Sequence, residues 1–250
     1  DARVVAVCGA AFDLWVGQAP VEMGSAFDVA PGDQLRFGAR RAGARAYLAV
    51  AGGIAVPPVF SSRSTHLRSR MGGLDGRALV AGDSLPLGDG RQIRRRPGTA
   101  AVPGSHRAPT AAGGPARVRV LAGPQHTRFA DGALEALQSA PYVIGAESDR
   151  MGYRLQGPPL AHARAADILS DATPLGVLQV PASGQPVLLM ADRQTTGGYP
   201  KIATVISADI PIAAQLAPGD SISFAVCTPA EALAALIAEE QALMAIEGRL

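Results

Sequence analysis

The sequence predicts a mainly β protein, built as two β domains with a few short helices. Three observations carry this. Gly 29 and Pro 20 make up close to a fifth of the 250 residues, as expected where many short strands are joined by tight turns. Apolar residues, 48% of the chain, fall in short runs that alternate or stop after a few positions, which suits strands better than long helices. Finally, Ala30-Pro31-Gly32-Asp33-Gln34-Leu35-Arg36-Phe37 recurs as Ala217-Pro218-Gly219-Asp220-Ser221-Ile222-Ser223-Phe224, so a matched turn and strand stand in each half, as in a duplicated domain.

The elements follow in order. Ala2 to Val7 reads as a strand, directly behind a first residue, Asp1, that is not Met; a removed segment or a fragment is expected, and a targeting signal is left open. In the repeated unit, Pro-Gly-Asp sets a tight turn, and the Leu or Ile and the Phe that follow alternate inward. Gly82-Asp83-Ser84-Leu85 is a weaker echo of it. Arg45 to Ala51, Ala78 to Ala81 and Ser84 to Leu87 complete the strands of an N-terminal domain over 1–96. Pro97 to Ala116, rich in Pro, Gly, Ala, Ser and Thr, reads as a linker. The C-terminal domain, 117–250, has strands at Arg117 to Ala122, Gly176 to Val180, Val187 to Met190 and Ile202 to Ile206, and a short packing helix over Phe129 to Gln138. A terminal helix opens at Pro229 behind a capping box of Thr228 and Glu231 and ends near Gly248, with Leu233, Leu236, Ile237, Leu243 and Met244 as its apolar stripe.

Composition excludes several function classes. A net charge of +2 does not indicate a nucleic-acid partner, although Arg91 to Ala130 holds eight arginines and no acid, a pattern read as solvated linker and strand ends. No run of about 18 uncharged apolar residues occurs, so no membrane span is expected. Cys8 and Cys227, each in an apolar run, read as buried free thiols, which points to the cytoplasm. His66, His106, His126 and His162 stand apart from one another and from both cysteines, so no metal bound by a local motif is expected. Neither a Gly-x-Ser-x-Gly elbow nor a P-loop is present; a nucleotide would be held in another way or by a partner.

Chemistry concentrates between Ile168 and Ile206. Asp192, Arg193, Gln194, Thr195 and Thr196 precede Gly197-Gly198-Tyr199, placing side chains suited to carboxylate or phosphate beside a backbone rich in N–H donors, the makings of an anion cradle. Lys201 is the single lysine among 23 basic residues, and an ammonium presents a compact charge that a guanidinium cannot. Its Tyr-Pro-Lys-Ile setting lacks the Met-Lys-Met pattern of a biotin carrier, so no biotin attached to this chain is expected. Gln125 in Gly123-Pro124-Gln125 and Arg150 in Ser148-Asp149-Arg150-Met151-Gly152 are further candidates; such an arginine can clamp a carboxylate or cap strand carbonyls, and the residues leave both open. Arg63-Ser64-Thr65 and Gly72-Gly73-Leu74-Asp75-Gly76-Arg77 read as turn chemistry.

Ala51-Gly52-Gly53-Ile54, Ser62-Arg63-Ser64-Thr65, Gly72-Gly73-x-x-Gly76-Arg77-x-Leu79, Gly123-Pro124-Gln125, Ser148-Asp149-Arg150-Met151-Gly152-Tyr153-Arg154-Leu155 and Ser170 to Lys201 together resemble successive blocks of the family formed by the C subunit of 5-oxoprolinase, also described as allophanate hydrolase subunit 2, KipI antagonist or biotin-dependent carboxyltransferase. The resemblance runs along essentially the whole chain. It implies two cyclophilin-like β-barrel domains, a KipI-like B subunit as partner, a third 5-oxoprolinase subunit, and ATP used by the complex to open 5-oxoproline to glutamate. Two departures stand out. The Ser-Gly-Ala-Met-Asp-like block with which members usually begin is not in this sequence, so part of the site is expected to lie outside it, and His66 stands where an acid or tyrosine is expected.

On that basis Lys201 and Arg193 are expected to steady negative charge and Asp192 to act as a base, while Gly197 and Gly198 offer backbone amides to an oxyanion or phosphate. Gln179 and Gln185 are expected to recognise the amide, with Gln125, Arg150, Gln194, Thr195 and Tyr199 completing a site for a small amide substrate. Two other readings stand beside this one: carboxyl transfer from a partner's carboxybiotin to urea or a similar amide, and a non-catalytic module that binds a KipI-like protein. The catalytic assignment depends on Lys201 lining a concave pocket between barrel strands.

Overall fold

A computed structural model describes residues 2–90 and 114–247; most of the expected linker, the five arginines from Arg91 to Arg107 and the expected helix end at Gly248 lie outside the described residues. The chain divides into two compact units. The division is not one cut in the sequence, because 9–11 and 40–45 group with the second unit.

Over residues 3–50, β1 (Arg3–Val16), β2 (Ala19–Pro20), β3 (Ala26–Val29) and β4 (Leu35–Val50) form a four-stranded sheet around β1, with β2 and β3 antiparallel to it. Alternation along β1 turns Val5 and Val7 inward against Leu14 and Phe27 and leaves Cys8 on the outer face. Both thiols are free, yet Cys8 is exposed and Cys227 only half-buried, which corrects the expectation of two buried cysteines: a place in an apolar run does not decide which face a side chain takes. Ala78 to Ala81 and Ser84 to Leu87 are not strands. Asp83 accepts from the Val80 N–H at 2.7 Å and binds Arg77 through both carboxylate oxygens at 2.7 and 2.8 Å, so this stretch closes into a turn; only Leu87 makes an isolated bridge, to Ile54.

The second unit is built from β5 (Ala116–Ala122), α1 (Ala133–Ser139), β6 (Tyr142–Ile144), β7 (Gly152–Gln156), β8 (Asp171–Ala172), β9 (Val177–Gln179), β10 (Val187–Leu189), β11 (Thr196–Gly197), β12 (Lys201–Val205), α2 (Ile210–Ala214), β13 (Ser221–Val226) and α3 (Pro229–Glu247). Seven strands close a barrel in the order β10-β7-β6-β13-β5-β12-β9, and β8 and β11 pair as a separate ribbon. Among the described residues this is the one closed barrel. In the first unit, the described residues beyond β4 make turns and isolated bridges and supply no further strand to its sheet. Val118, Val120, Leu178, Leu188, Ile202 and Ile222 fill the barrel interior with no exposed surface.

The repeated unit folds alike in both places. Asp33 N–H donates to Ala30 O and Asp220 N–H to Ala217 O, each at 3.0 Å; the same aspartates accept from the Ala30 and Ala217 N–H groups at 2.7 and 2.8 Å; Gly32 and Gly219 both have φ of 90°, which glycine alone adopts without cost. Ile222 and Phe224 point inward as expected, whereas Phe37 is 41% exposed and packs edge-on to Phe12. Helix α1 starts later than expected: residues 126–128 form a 3-10 turn, Phe129 is extended and bridges to His162, and the left-handed Gly132 then starts the helix. The capping box holds, with Glu231 accepting from the Thr228 N–H at 2.7 Å and Thr228 Oγ1 from the Glu231 N–H at 3.2 Å. The apolar stripe of α3 is not packed, however: Leu233, Ile237 and Met244 are exposed, since Ala and Leu surround the helix on every side and define no single face.

Candidate functional site

Strand register sorts the expected site residues. Lys201 at the start of β12 pairs with Gln179 at the end of β9, which also pairs with Val187 at the start of β10. Gln125 follows β5, the other neighbour of β12. These residues therefore share one end of the barrel. Arg150 and Asp192 lie at the opposite end, where Gly152 at the start of β7 pairs with Leu189 at the end of β10.

The first end is organised around Lys201. Its side chain is only 3% exposed, and its ammonium donates to Asp171 Oδ2 at 2.6 Å. The Asp171 side chain is 51% exposed, so a buried cation stands behind an acid that faces outward. Gln125 locks the arrangement: its Oε1 accepts from the Lys201 N–H at 3.2 Å while its Nε2 donates to Asp171 Oδ2 at 3.3 Å. The Ala172 N–H donates to the other carboxylate oxygen at 2.7 Å. The hydrogen bond from Lys201, then that from the Ala172 backbone, the charge of Lys201 and the Gln125 amide hold the Asp171 carboxyl below the ordinary carboxylate range. Gly123 makes the approach possible, because a Cβ there would lie 2.3 Å from the Lys201 carbonyl oxygen.

Beside this pair runs a chain of amides. Gln194 Nε2 donates to Gln179 Oε1 at 3.2 Å, and Gln179 Nε2 to the Tyr199 carbonyl at 3.2 Å. Gln179 is buried, so these bonds satisfy an amide that would otherwise be costly in the interior. Thr173 steadies the opposing segment: its hydroxyl donates to Gln194 O, its N–H to Thr195 O at 2.9 Å, and its carbonyl accepts Arg193 Nε at 2.7 Å.

The remaining candidates fall elsewhere or are engaged differently. Asp192 binds Arg150 through two bonds of 2.8 and 3.0 Å, so the expected base faces a guanidinium at the far end of the barrel. Gln185 closes both ends of its amide on Gly157, accepting from its N–H at 3.0 Å and donating to its carbonyl at 2.9 Å. Gly197 lies in the β8–β11 ribbon opposite Asp171, held in extended pairing, while Gly198 follows in a bend, its carbonyl accepting from Ile168 N–H at 2.8 Å. Glycine at 197 answers a steric need, since a Cβ would meet Gln179 Nε2 at 2.7 Å. The cavity lined by Arg40, Gln215, Asp220 and Ser221 does not include Lys201. Sequence reasoning missed Asp171 and Thr173; a lysine at a strand start in an apolar run implies a nearby acid, and Asp171 stands in the same motif block.

Comparison with known proteins fits this architecture. Residues 1–226 match the family model described as "Carboxyltransferase domain, subdomain A and B". The chain belongs to this carboxyltransferase-domain family. It is 39% identical over 231 residues to the C subunit of 5-oxoprolinase from Escherichia coli (strain K12), covering 92% of this chain and 71% of that one. The Haemophilus influenzae protein of the same name is 37% identical, with 87% and 67% covered. Among solved structures, the K. lactis urea amidolyase superposes with a TM-score of 0.86 at 26% identity over 98% of this chain but 16% of that one. The carboxyltransferase chain thus spans about two thirds of these two bacterial relatives and a small part of the amidolyase. Among its described residues no helix is long and apolar enough to cross a membrane.

Proposed function

We infer that this carboxyltransferase-domain chain is one component of an ATP-dependent amidohydrolase that opens 5-oxoproline to glutamate, acting with a KipI-like B subunit and a third subunit. The similarity to proteins named as the C subunit of 5-oxoprolinase supports the reaction. The observation that carries the chain's part in it is the Lys201–Asp171–Gln125 cluster at one end of the barrel, with Asp171 open to solvent. An unstrained lactam resists hydrolysis at neutral pH; phosphorylation of its oxygen makes the carbon electrophilic towards water. Lys201 and Asp171 cancel in charge, so the cluster suits a neutral amide better than a polyphosphate, and ATP is assigned to the partner subunits. A buried ammonium already paired with a carboxylate is poorly placed for acylation, which supports biotin being carried elsewhere.

Co-expression with a KipI-like partner, followed by an ATP-dependent 5-oxoproline hydrolysis assay with and without the third subunit, tests the reading. Lys201→Met, which keeps most of the side-chain volume, should lower turnover by at least about tenfold while the complex still assembles on a sizing column. Normal turnover would remove Lys201 from the site. A second reading, carboxyl transfer from a partner's carboxybiotin to urea or a similar amide, is favoured by the family match and by the likeness to urea amidolyase. It requires turnover that avidin abolishes; avidin-insensitive turnover excludes it.

A further inference from the structure

Lys201 holds the charge at this end of the barrel, yet it is the residue that a ligand reaches least. The groups that face outward are the Asp171 carboxylate, whose side chain is half exposed, and the half-buried Gln125 amide. Their polarity is fixed by their neighbours. Gln125 Oε1 is held by the Lys201 backbone N–H, so the Gln125 amide cannot flip and must present its NH2 towards Asp171. That NH2 has two hydrogens, and one reaches Asp171 Oδ2. An ionised carboxylate has about four acceptor positions, of which the Lys201 ammonium, the Gln125 amide and the Ala172 N–H take three. Asp171 Oδ2 accepts from both the ammonium and the Gln125 amide, so the acceptor position left is on Oδ1 and the donor hydrogen left is on Gln125 Nε2, which is hydrogen-bonded to the same carboxylate.

We propose that Asp171 and Gln125 form a specificity-determining edge for a cis amide, Asp171 accepting the substrate N–H and Gln125 donating to the substrate carbonyl, with Lys201 as a positioning residue behind them. In a lactam or in urea an N–H and the carbonyl oxygen lie on the same side of the C–N bond and can meet both groups at once. In an ordinary trans peptide they point in opposite directions and cannot. A carboxylate in place of the amide is disfavoured as well, since it offers no donor to Asp171, and the carboxylate that 5-oxoproline carries beside its N–H must point away from Asp171. This assignment rests on the amide-opening reading above and names the residues that select its substrate.

The test compares 5-oxoproline with its N-methyl derivative in the assembled complex, for the wild type, Asp171→Asn and Lys201→Met. The wild type should favour the N–H lactam by about tenfold or more in kcat/KM, the usual discrimination of a site built around one hydrogen bond to a charged group. Asp171→Asn should raise KM for 5-oxoproline about tenfold with a smaller change in kcat, and should bring the two substrates to near parity. That second effect separates a lost hydrogen bond from steric exclusion of the methyl group. An active complex in which Asp171→Asn leaves both KM and the preference unchanged overturns the inference and spares the reaction. A wild-type complex that opens no lactam removes the reaction instead. In that event, and also if Asp171→Asn fails to fold, binding to the wild-type chain decides the matter. The Gln125 side-chain NH2 resonances should shift on adding 5-oxoproline or the uncharged lactam 2-pyrrolidone, and not on adding N-methylpyrrolidone; equal or absent shifts overturn it.

Discussion

At the residue scale, the barrel end depends on glycines that admit close contacts. A methyl group at Gly123 would strike the backbone carbonyl of Lys201 at 2.3 Å, and backbone cannot step aside as a side chain can. Gly123→Ala should therefore cost about 1–3 kcal/mol in urea unfolding and displace Gln125. Gly197→Ala meets the Gln179 amide nitrogen at 2.7 Å, a side chain that can move, so it should disturb the Gln194–Gln179–Tyr199 chain with a smaller loss of stability. Asp209 is a further anchor: its nearly buried carboxylate accepts the Arg119 N–H, Nε and NH2 at 2.6 to 3.0 Å. Residue type made Lys201 legible from sequence, because a lone ammonium among arginines stands out. Its partner was less legible, since Asp171 lies thirty positions upstream in the chain and only strand pairing brings it near. Asp192 and Arg193 are adjacent in sequence but their side chains take different partners; proximity along the chain said nothing about which way each would point.

At the element scale, local signals with their own hydrogen bonds were readable and those needing a distant partner were not. The two Pro-Gly-Asp turns and the Thr228 capping box close within four residues, and all form as expected. Val80-Ala81-Gly82-Asp83 makes the same turn, with Gly82 at φ 92°, but no strand follows it. Alternation alone suggested strands there, yet a strand also needs a neighbour to complete its ladder. Two tests follow. Gly219→Ala forces a Cβ into the left-handed region and should destabilise the barrel by about 1–2 kcal/mol, which chemical denaturation will measure. Thr228→Ala removes the cap of α3 and should cost about 1 kcal/mol of helix stability, read as lost helical circular dichroism on heating, with the barrel transition little changed.

At the scale of the whole molecule, acid and alkali should act through identifiable groups. The Arg77 guanidinium and the Val80 N–H hold the Asp83 carboxyl down at about 2. Its stabilising effect is complete above the unfolded carboxylate value and disappears as pH falls through about 2. Asp171 and Glu231 are lowered as well and work in the same direction, so melting temperature should decline progressively below about pH 4. Burial pushes the Tyr142 phenol up to about 12; its contribution is intact below the unfolded value near 10 and is lost as pH rises through about 12. A melting curve flat from pH 4 down to 2 would contradict these assignments. The barrel also holds one parallel pair, β5 with β13, joining the first strand of that unit to its last. A ribosome extending this chain must hold an unsealed cylinder throughout, because its closing stave is made after all the others. Arrested nascent chains that stop short of Ser221 should stay open to protease, and those that expose Val226 beyond the exit tunnel should become resistant in one step.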